Sequence, residues 1–222
     1  VSANTKKPVA STRGQFYFSW MNHRLYDLGL YRFVTPFIWR CPTDRLLEHY
    51  IENLSDSHLE IGVGSGFFLE RTLCPDMLLR LVLLDLNERC LEKSAQRLEA
   101  FAPSIRRHNI LDPIDPGEPR FSSVAMNYVL HCIGGDFHQL RTVFSNVRCK
   151  LEEGGVFFGA TLLSRSKEQS LWAMGLMKVL NWMGIFNNTE HELGSLQRAL
   201  ESVFREVDIS MVGNAAVFRA VK

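Results

Sequence analysis

The chain lacks most of the marks of a specialised environment. Its five cysteines are odd in number and contain no Cys-x-x-Cys pair, which argues against a disulfide framework and against a structural zinc site. A formal net charge of +1 gives no electrostatic case for a nucleic acid or an anionic membrane as partner. No apolar run approaches the ~20 residues that span a bilayer. The opening "VSANTKKPVASTRGQ" is polar and lacks the apolar core of a signal peptide. These absences favour a cytoplasmic protein kept in a reducing compartment, with no metal site. There is also no internal repeat, low-complexity tract or clear interdomain linker.

What is present fits a soluble globular protein: 222 residues, 46% hydrophobic and 22% charged. This length suits a single substantial core. Residues 1–15 are expected to be flexible, 16–54 to form a helical arm or cap, and 55–222 to form the main domain. In the arm, Trp20, Leu25, Leu28 and Tyr31 fit one broad helical face. A second helix is expected from Thr43 to Leu54, with Thr43 as its N-cap and Asp44 in its first turn.

From His58 onward, short apolar strands alternate with amphipathic helices. The strands fall at 58–63, 79–86, 104–110, 121–129, 154–163, 205–212 and 215–221. The helices fall at 66–73, 88–101, 136–152, 168–184 and 190–203, the last with a capping box from Thr189 to Glu192. Such alternation predicts a parallel sheet with right-handed crossovers. No helix fits between the last two strands, which meet at Gly213-Asn214, so they must form an antiparallel hairpin. The expected fold is α/β: a seven-stranded, mostly parallel doubly wound sheet with helices on both faces and a reversed last strand. The basic run Arg106, Arg107 and His108 reads as a solvated strand edge.

The most informative stretch is "HLEIGVGSGFFLE", residues 58 to 70. It follows a strand and opens a helix, the place where a doubly wound sheet binds its ligand. Gly62, Gly64 and Gly66 let the backbone turn tightly and approach that ligand. The spacing is G-x-G-x-G, whereas the dinucleotide fingerprint is G-x-G-x-x-G, and Phe67 occupies the place of its third glycine. Glu60 precedes the loop, where a carboxylate would repel phosphate but suit a cationic amine or sulfonium. Asp85 closes the next strand, "LVLLDLN", where an acid can accept hydrogen bonds from both ribose hydroxyls.

At these residues the chain resembles the class I S-adenosylmethionine (SAM)-dependent methyltransferases, over roughly Thr43 to Lys222. "LEIGVGSG" is similar to their first motif and "LLDLN" to the acidic motif after it. "RHNIL", "FSSVAMNYVLHCIGG" and "LEEGGVFFGATLL" resemble the third, fourth and fifth strand segments. The resemblance implies SAM as cofactor and S-adenosylhomocysteine (SAH) as product. It implies that Glu60 organises the loop and the methionine amine, and that Gly62, Gly64 and Gly66 line the methionine and ribose. Asp85 would bind the ribose hydroxyls, with Leu86, Asn109 and Ile110 around adenine and the Asn127 backbone near the methionine portion.

Methyl transfer asks mainly for positioning. Where a base is needed, His131 is the candidate, following the fourth strand with a pKa in the useful range. Cys132 beside it reads as packing. Two segments outside the motifs, the aromatic arm and "SLWAMGLMKVLNWMGIFNN", are candidates to roof the crevice as an apolar pocket. From them Tyr17, Trp20, Tyr26, Tyr31, Trp172 and Met177 would contact a planar or aromatic acceptor. The same surface would equally suit a dimer interface, so monomer and homodimer both stay open. The fourth strand ends "NYVL" and not N-P-P-Y, which favours a small molecule over nucleic acid or protein and oxygen over nitrogen, with secondary metabolism as a plausible setting. A non-methylating SAM binder is the first alternative. An NAD(P)-dependent oxidoreductase is the second, disfavoured by the glycine spacing and by the lack of a Tyr-x-x-x-Lys pair after the fourth strand.

Overall fold

A computed structural model describes residues 23–74, 77, 80–114, 119–165 and 169–222. Seven strands form one sheet: β1 (Ser57–Ile61), β2 (Arg80–Asp85), β3 (Ser104–Arg107), β4 (Phe121–Asn127), β5 (Leu151–Leu162), β6 (Glu206–Val212) and β7 (Ala215–Val221). Their order is β3-β2-β1-β4-β5-β7-β6. The first five are mutually parallel, and β7 runs antiparallel to both β5 and β6. The reversed final strand is therefore present, and Gly213-Asn214 is its turn, pairing Val212 with Ala215. Only Gly213 of that pair has a positive φ, +58°, as in a II′ hairpin.

The helices are α1 (His23–Gly29), α2 (Thr43–Asn53), α3 (Phe67–Thr72), α4 (Glu88–Arg97), α5 (Phe137–Lys150), α6 (Leu171–Trp182) and α7 (Leu193–Glu201). They cover both faces of the sheet, because strand side chains alternate between faces. Leu59, Ile61, Val124 and Phe157 pack with Val143 and Phe144 of α5 and with Leu196 and Leu200 of α7. Leu83, Ala125 and Phe158 pack on the other side with Tyr50 of α2, Leu69 of α3, Leu91 of α4 and Met177 of α6. Arg106 and Arg107 of the basic run lie on the edge strand β3, all four of whose residues are exposed, but His108 follows the strand and lines the cavity, so the solvated-edge reading fails for it. Charge on an edge strand discourages pairing with another chain.

Local chemistry departs from the sequence reading in four places. Thr43 is the first residue of α2 and not its N-cap, which is Pro42; its hydroxyl donates to the Tyr31 carbonyl at 2.5 Å. The capping box of α7 is formed by Glu192 and Ser195 instead of Thr189 and Glu192. Strand β5 begins three residues earlier than expected, at Leu151, because Gly154 and Gly155 sit inside it where the register with β4 shifts. A glycine pair that reads as a turn here makes an irregular strand.

The fourth departure shapes the site. Helix α1 runs directly into a π-helical segment, Leu30–Ile38, with Pro36 inside it. Its i→i+5 repeat is wider than the α-helical one. The face assigned by α-helical spacing divides: Leu25 is 68% exposed and Leu28 54%, while Tyr31 packs against the core. The residues turned to the protein's cavity are Tyr26, Leu30, Thr35 and Trp39, four to five positions apart. Trp20 and Tyr17 lie outside the described residues.

Candidate active site

Strands β1 and β4 are neighbours although β2 and β3 intervene in the chain, so the strand order reverses between them. A crevice opens at such a switch point, beyond the strands' carboxyl ends. There the protein holds a cavity of about 270 Å³. Its floor is Ile61, Gly62 and Gly64 after β1, Leu84 to Asn87 at the end of β2, and Tyr128 and Val129 after β4.

The glycine loop is held by its backbone. Gly62 donates to Leu84 O (2.7 Å), tying the ends of β1 and β2 together, and Gly66 donates to Val63 O (2.9 Å). Gly62, Gly64 and Gly66 have φ of +72°, +56° and +75°, a region that side-chain-bearing residues rarely adopt. At Gly62 there is also no room: an added Cβ would lie 2.3 Å from Val129 Cγ2. Gly66 does not line the cavity. It begins α3 and packs beside Ser94 of α4.

Asp85 lies in the cavity wall at the end of β2. Its carboxylate accepts from Asn87 N (2.9 Å) and, at a long 3.4 Å, from Gly64 N. Burial pushes its pKa up, and the backbone N–H groups offset this only in part. A carboxylate in that state is short of donors, and a ligand bringing a pair of hydroxyls would supply them. Leu86, Asn109 and Ile110 border the same end of the cavity, joined by His108 and Cys90. These residues fit a ribose with a flat heterocycle beyond it.

Two expected cofactor residues stand back from the cavity. Alternation along β1 turns His58 and Glu60 towards α2. There Glu60 accepts a hydrogen bond from the Tyr50 hydroxyl at 2.5 Å and sits 3.2 Å from His58 Nε2. His58 Nδ1 in turn pairs with the Ser123 hydroxyl at 2.7 Å. This buried network supports the loop from behind. Asn127 ends β4 beside Ala160, and its Nδ2 has no hydrogen-bond partner among the described residues.

His131 does line the cavity. Its Nδ1 accepts from Leu162 N at 3.3 Å and lies 3.4 Å from the Thr161 hydroxyl. A backbone N–H can only donate, so Nδ1 carries the lone pair and Nε2 carries the proton. Burial, with a smaller contribution from His191, lowers the ring's pKa to about 3. The ring is therefore neutral with both nitrogens committed, and it offers an N–H donor instead of a free lone pair. Its face packs 4.3 Å from the Phe186 ring centroid. Burial likewise pushes the Cys132 thiol up to about 12, which leaves it protonated and unreactive.

The expected acceptor residues divide. Tyr26 is in the cavity wall. Tyr31 is not; it stacks on Phe67 at 4.0 Å between centroids. Met177 is buried in the core, and Trp172 faces outward, 83% exposed. Residues not singled out by number complete the wall: Leu30, Thr35 and Trp39 from the arm and Ile185 and Phe186 after α6, all within the two segments expected to roof the crevice, and Tyr128, Val129 and Ile133 after β4. The one available signal was position, since Tyr128 directly follows the fourth strand. Tyr128 is held at φ +56°, a strained state for a bulky residue of the kind that gathers at functional sites.

A protein family described as a methyltransferase domain matches residues 59–157. The demethylluteothin O-methyltransferase of Streptomyces thioluteus is 32% identical, over 88% of this chain and 85% of that one. The physcion biosynthesis cluster O-methyltransferase of Aspergillus chevalieri is 30% identical, over 97% of this chain and 98% of that one. The N-methyltransferase NodS of Bradyrhizobium japonicum WM9, solved with S-adenosyl-L-homocysteine, shares the fold with a TM-score of 0.67 at 18% identity, covering 96% and 99% of the two chains. The strand order, the glycine loop with Asp85 beyond it, and relatives that match along nearly the whole chain agree: this protein belongs to the class I SAM-dependent methyltransferases.

Proposed function

We propose that this enzyme methylates an uncharged, largely apolar small molecule, at oxygen in preference to nitrogen. One observation carries this reading. Among the described residues, the cavity wall away from Asp85 and His108 bears no charged side chain. A cationic or anionic acceptor would be desolvated there without a partner, at a cost of several kcal/mol. The polar groups on offer are neutral: the Thr35 and Tyr128 hydroxyls, which interact with one another in the cavity wall, and the Nε2–H of His131. Such donors suit an acceptor rich in oxygen, and the two relatives named O-methyltransferases point the same way. A setting in secondary metabolism follows from the same relatives.

When bound, SAM supplies a methyl group already activated on a sulfonium. The chain's own task is to hold and to exclude. Asp85 binds the ribose hydroxyls, Leu86, Asn109 and Ile110 flank the adenine, and the glycine loop lies along the rest, with Asn127 contributing backbone near the methionine portion. Glu60, buried behind the loop, favours a ligand with positive charge over one with phosphate. His131 serves as a hydrogen-bond donor that orients the acceptor, and the acceptor's hydroxyl proton passes to bulk water as the product leaves the chamber. Tyr26, Trp39 and Phe186 wall the acceptor from solvent, which strengthens every polar contact inside.

A cytoplasmic location fits five free cysteines, and among the described residues no helix is long and apolar enough to cross a membrane. The test is a transfer reaction: the protein is incubated with 13C-methyl-labelled SAM and a metabolite extract, and products gaining about 15 mass units, the increment for replacing H by 13CH3, are identified by mass spectrometry. A neutral small molecule gaining the label supports the reading. Label on a charged acceptor or a macromolecule overturns it, and tight SAH binding without any transfer marks a non-methylating SAM binder.

A further inference from the structure

The arm touches the glycine loop through one buried carboxylate. Asp27, in α1, is 5% exposed. Its Oδ1 accepts from the Ser65 hydroxyl at 2.5 Å, and its Oδ2 from Arg97 Nη1 at 2.6 Å. Ser65 lies between Gly64 and Gly66, the centre of the loop. Arg97, at the end of α4, also donates from Nη1 to the Ser65 carbonyl at 2.9 Å and from Nη2 to Glu70 of α3. Both the side chain and the backbone of Ser65 are thus clamped, and Asp27 is the member of the clamp that comes from the arm.

The placement has two sides. On the loop side, three residues at positive φ have many alternatives when unliganded, and the clamp selects the arrangement that carries Gly62 and Gly64 to the cavity. On the arm side, Asp27 immediately follows Tyr26, and Leu30, Thr35 and Trp39 come after it in the same continuous helix. All four form cavity wall. Asp27 joins α1 to α4 through its salt bridge with Arg97. The pair is little exposed, so its hydrogen bonds are charge-assisted and weakly screened.

We propose that Asp27 is a positioning residue that couples the arm to the cofactor loop, so that cofactor binding and arm docking reinforce one another. A ligand that orders the loop fixes Ser65, and Ser65 in place holds Asp27 and with it the acceptor wall. By reciprocity, a docked arm tightens the cofactor and slows its departure. This inference rests on the reading of the cavity as a SAM site.

The test uses SAH with the full chain. Amide hydrogen exchange is followed across residues 23–38 with and without saturating SAH, and SAH affinity and dissociation rate are measured for the wild type, Asp27→Asn and Ser65→Ala. In the wild type, SAH should slow exchange across 23–38. Asp27→Asn should bind SAH about tenfold more weakly, the size expected for a lost charged hydrogen bond, dissociate faster, and lose the SAH-induced protection of the arm. Ser65→Ala removes one hydroxyl and keeps the helix intact; it should show the same changes in smaller degree, and it decides the matter if Asp27→Asn does not fold. A wild type that binds SAH with no change in arm exchange overturns the coupling and leaves the methyltransferase reading intact, as does unaltered affinity in the folded variants. A wild type that fails to bind SAH overturns the SAM reading itself.

Discussion

The two ends of the cavity are built differently. The cofactor end is made of backbone: glycines at positive φ, amides aimed at Asp85, and a carboxylate at a strand end. The acceptor end is made of side chains, gathered from a π-helical arm, a loop after β4 and the residues after α6. Backbone requirements narrow the residue choice at one position to glycine or to an acid. Side-chain walls tolerate many apolar residues of similar size. A donor common to a large family and an acceptor particular to each member would demand just this division.

The contrast can be broken most severely at Gly62. Gly62→Ala adds about 1–3 kcal/mol of backbone strain and about 1–3 kcal/mol for the clash with Val129. We expect SAH binding to vanish from calorimetry and the melting temperature to fall; a variant that binds SAH normally would show that the loop does not depend on its backbone. Next in size is Asp85→Ala. It should weaken SAH by about 1–3 kcal/mol in a protein that still folds, and unchanged affinity would place the ribose elsewhere.

The acceptor end is tested through pH. His131 titrates near 6.5 when unfolded but at about 3 when folded, so the unfolded state binds the proton first. Between those values stability falls as pH falls, by about 1.4 kcal/mol per unit for this one group. His49 and His191, also lowered by burial, act in the same direction. Thermal melts from pH 7 to 5 should show this slope, and His131→Gln should flatten it. The wild type itself tests the buried, neutral ring: its methyl-transfer rates should lack a limb near pH 6.5, which a histidine base of ordinary pKa would produce. The smallest effect is expected at Trp172→Ser. The side chain lies outside the cavity, so transfer rate and SAH affinity should stay within about 0.5 kcal/mol of the wild type, and a marked loss in KM for the acceptor would restore Trp172 to the site.

This division also explains what was legible in the sequence. All seven strands and the reversed hairpin followed from apolar runs, two-residue alternation and turn residues, signals that act over a few positions. Gly62, Gly64 and Asp85 stood out by their place at strand ends, Leu86, Asn109 and Ile110 came only through the family resemblance, and all six border the cavity. The acceptor wall was less legible. Its arm was read with an α-helical repeat, and the π-helical one rotates a different set of residues inward. Trp172 was conspicuous as a tryptophan, but its neighbours on α6, Ala173 and Met177, are the ones buried. Phe186 entered the wall from beyond the helix that drew attention, and no spacing links it to Thr35 or Tyr128. His131 was placed correctly, but its protonation depends on Leu162, thirty-one residues away.

The turn at Gly213-Asn214 bears on how the protein is made. Asn214 donates its backbone N–H to the Trp39 carbonyl at 2.8 Å, and a Cβ on Gly213 would lie 2.4 Å from that same oxygen. Trp39 in the cavity wall therefore leans on a turn far along the chain. Domains begin to order from the N-terminus during synthesis, yet here the arm has no final seat until the β6–β7 turn has been made. Contacts between sequence ends so far apart are slow to form. A nascent chain can order its glycine loop early, but its acceptor chamber closes only after the hairpin has been made, and a product truncated before the hairpin would lack the contact that seats Trp39.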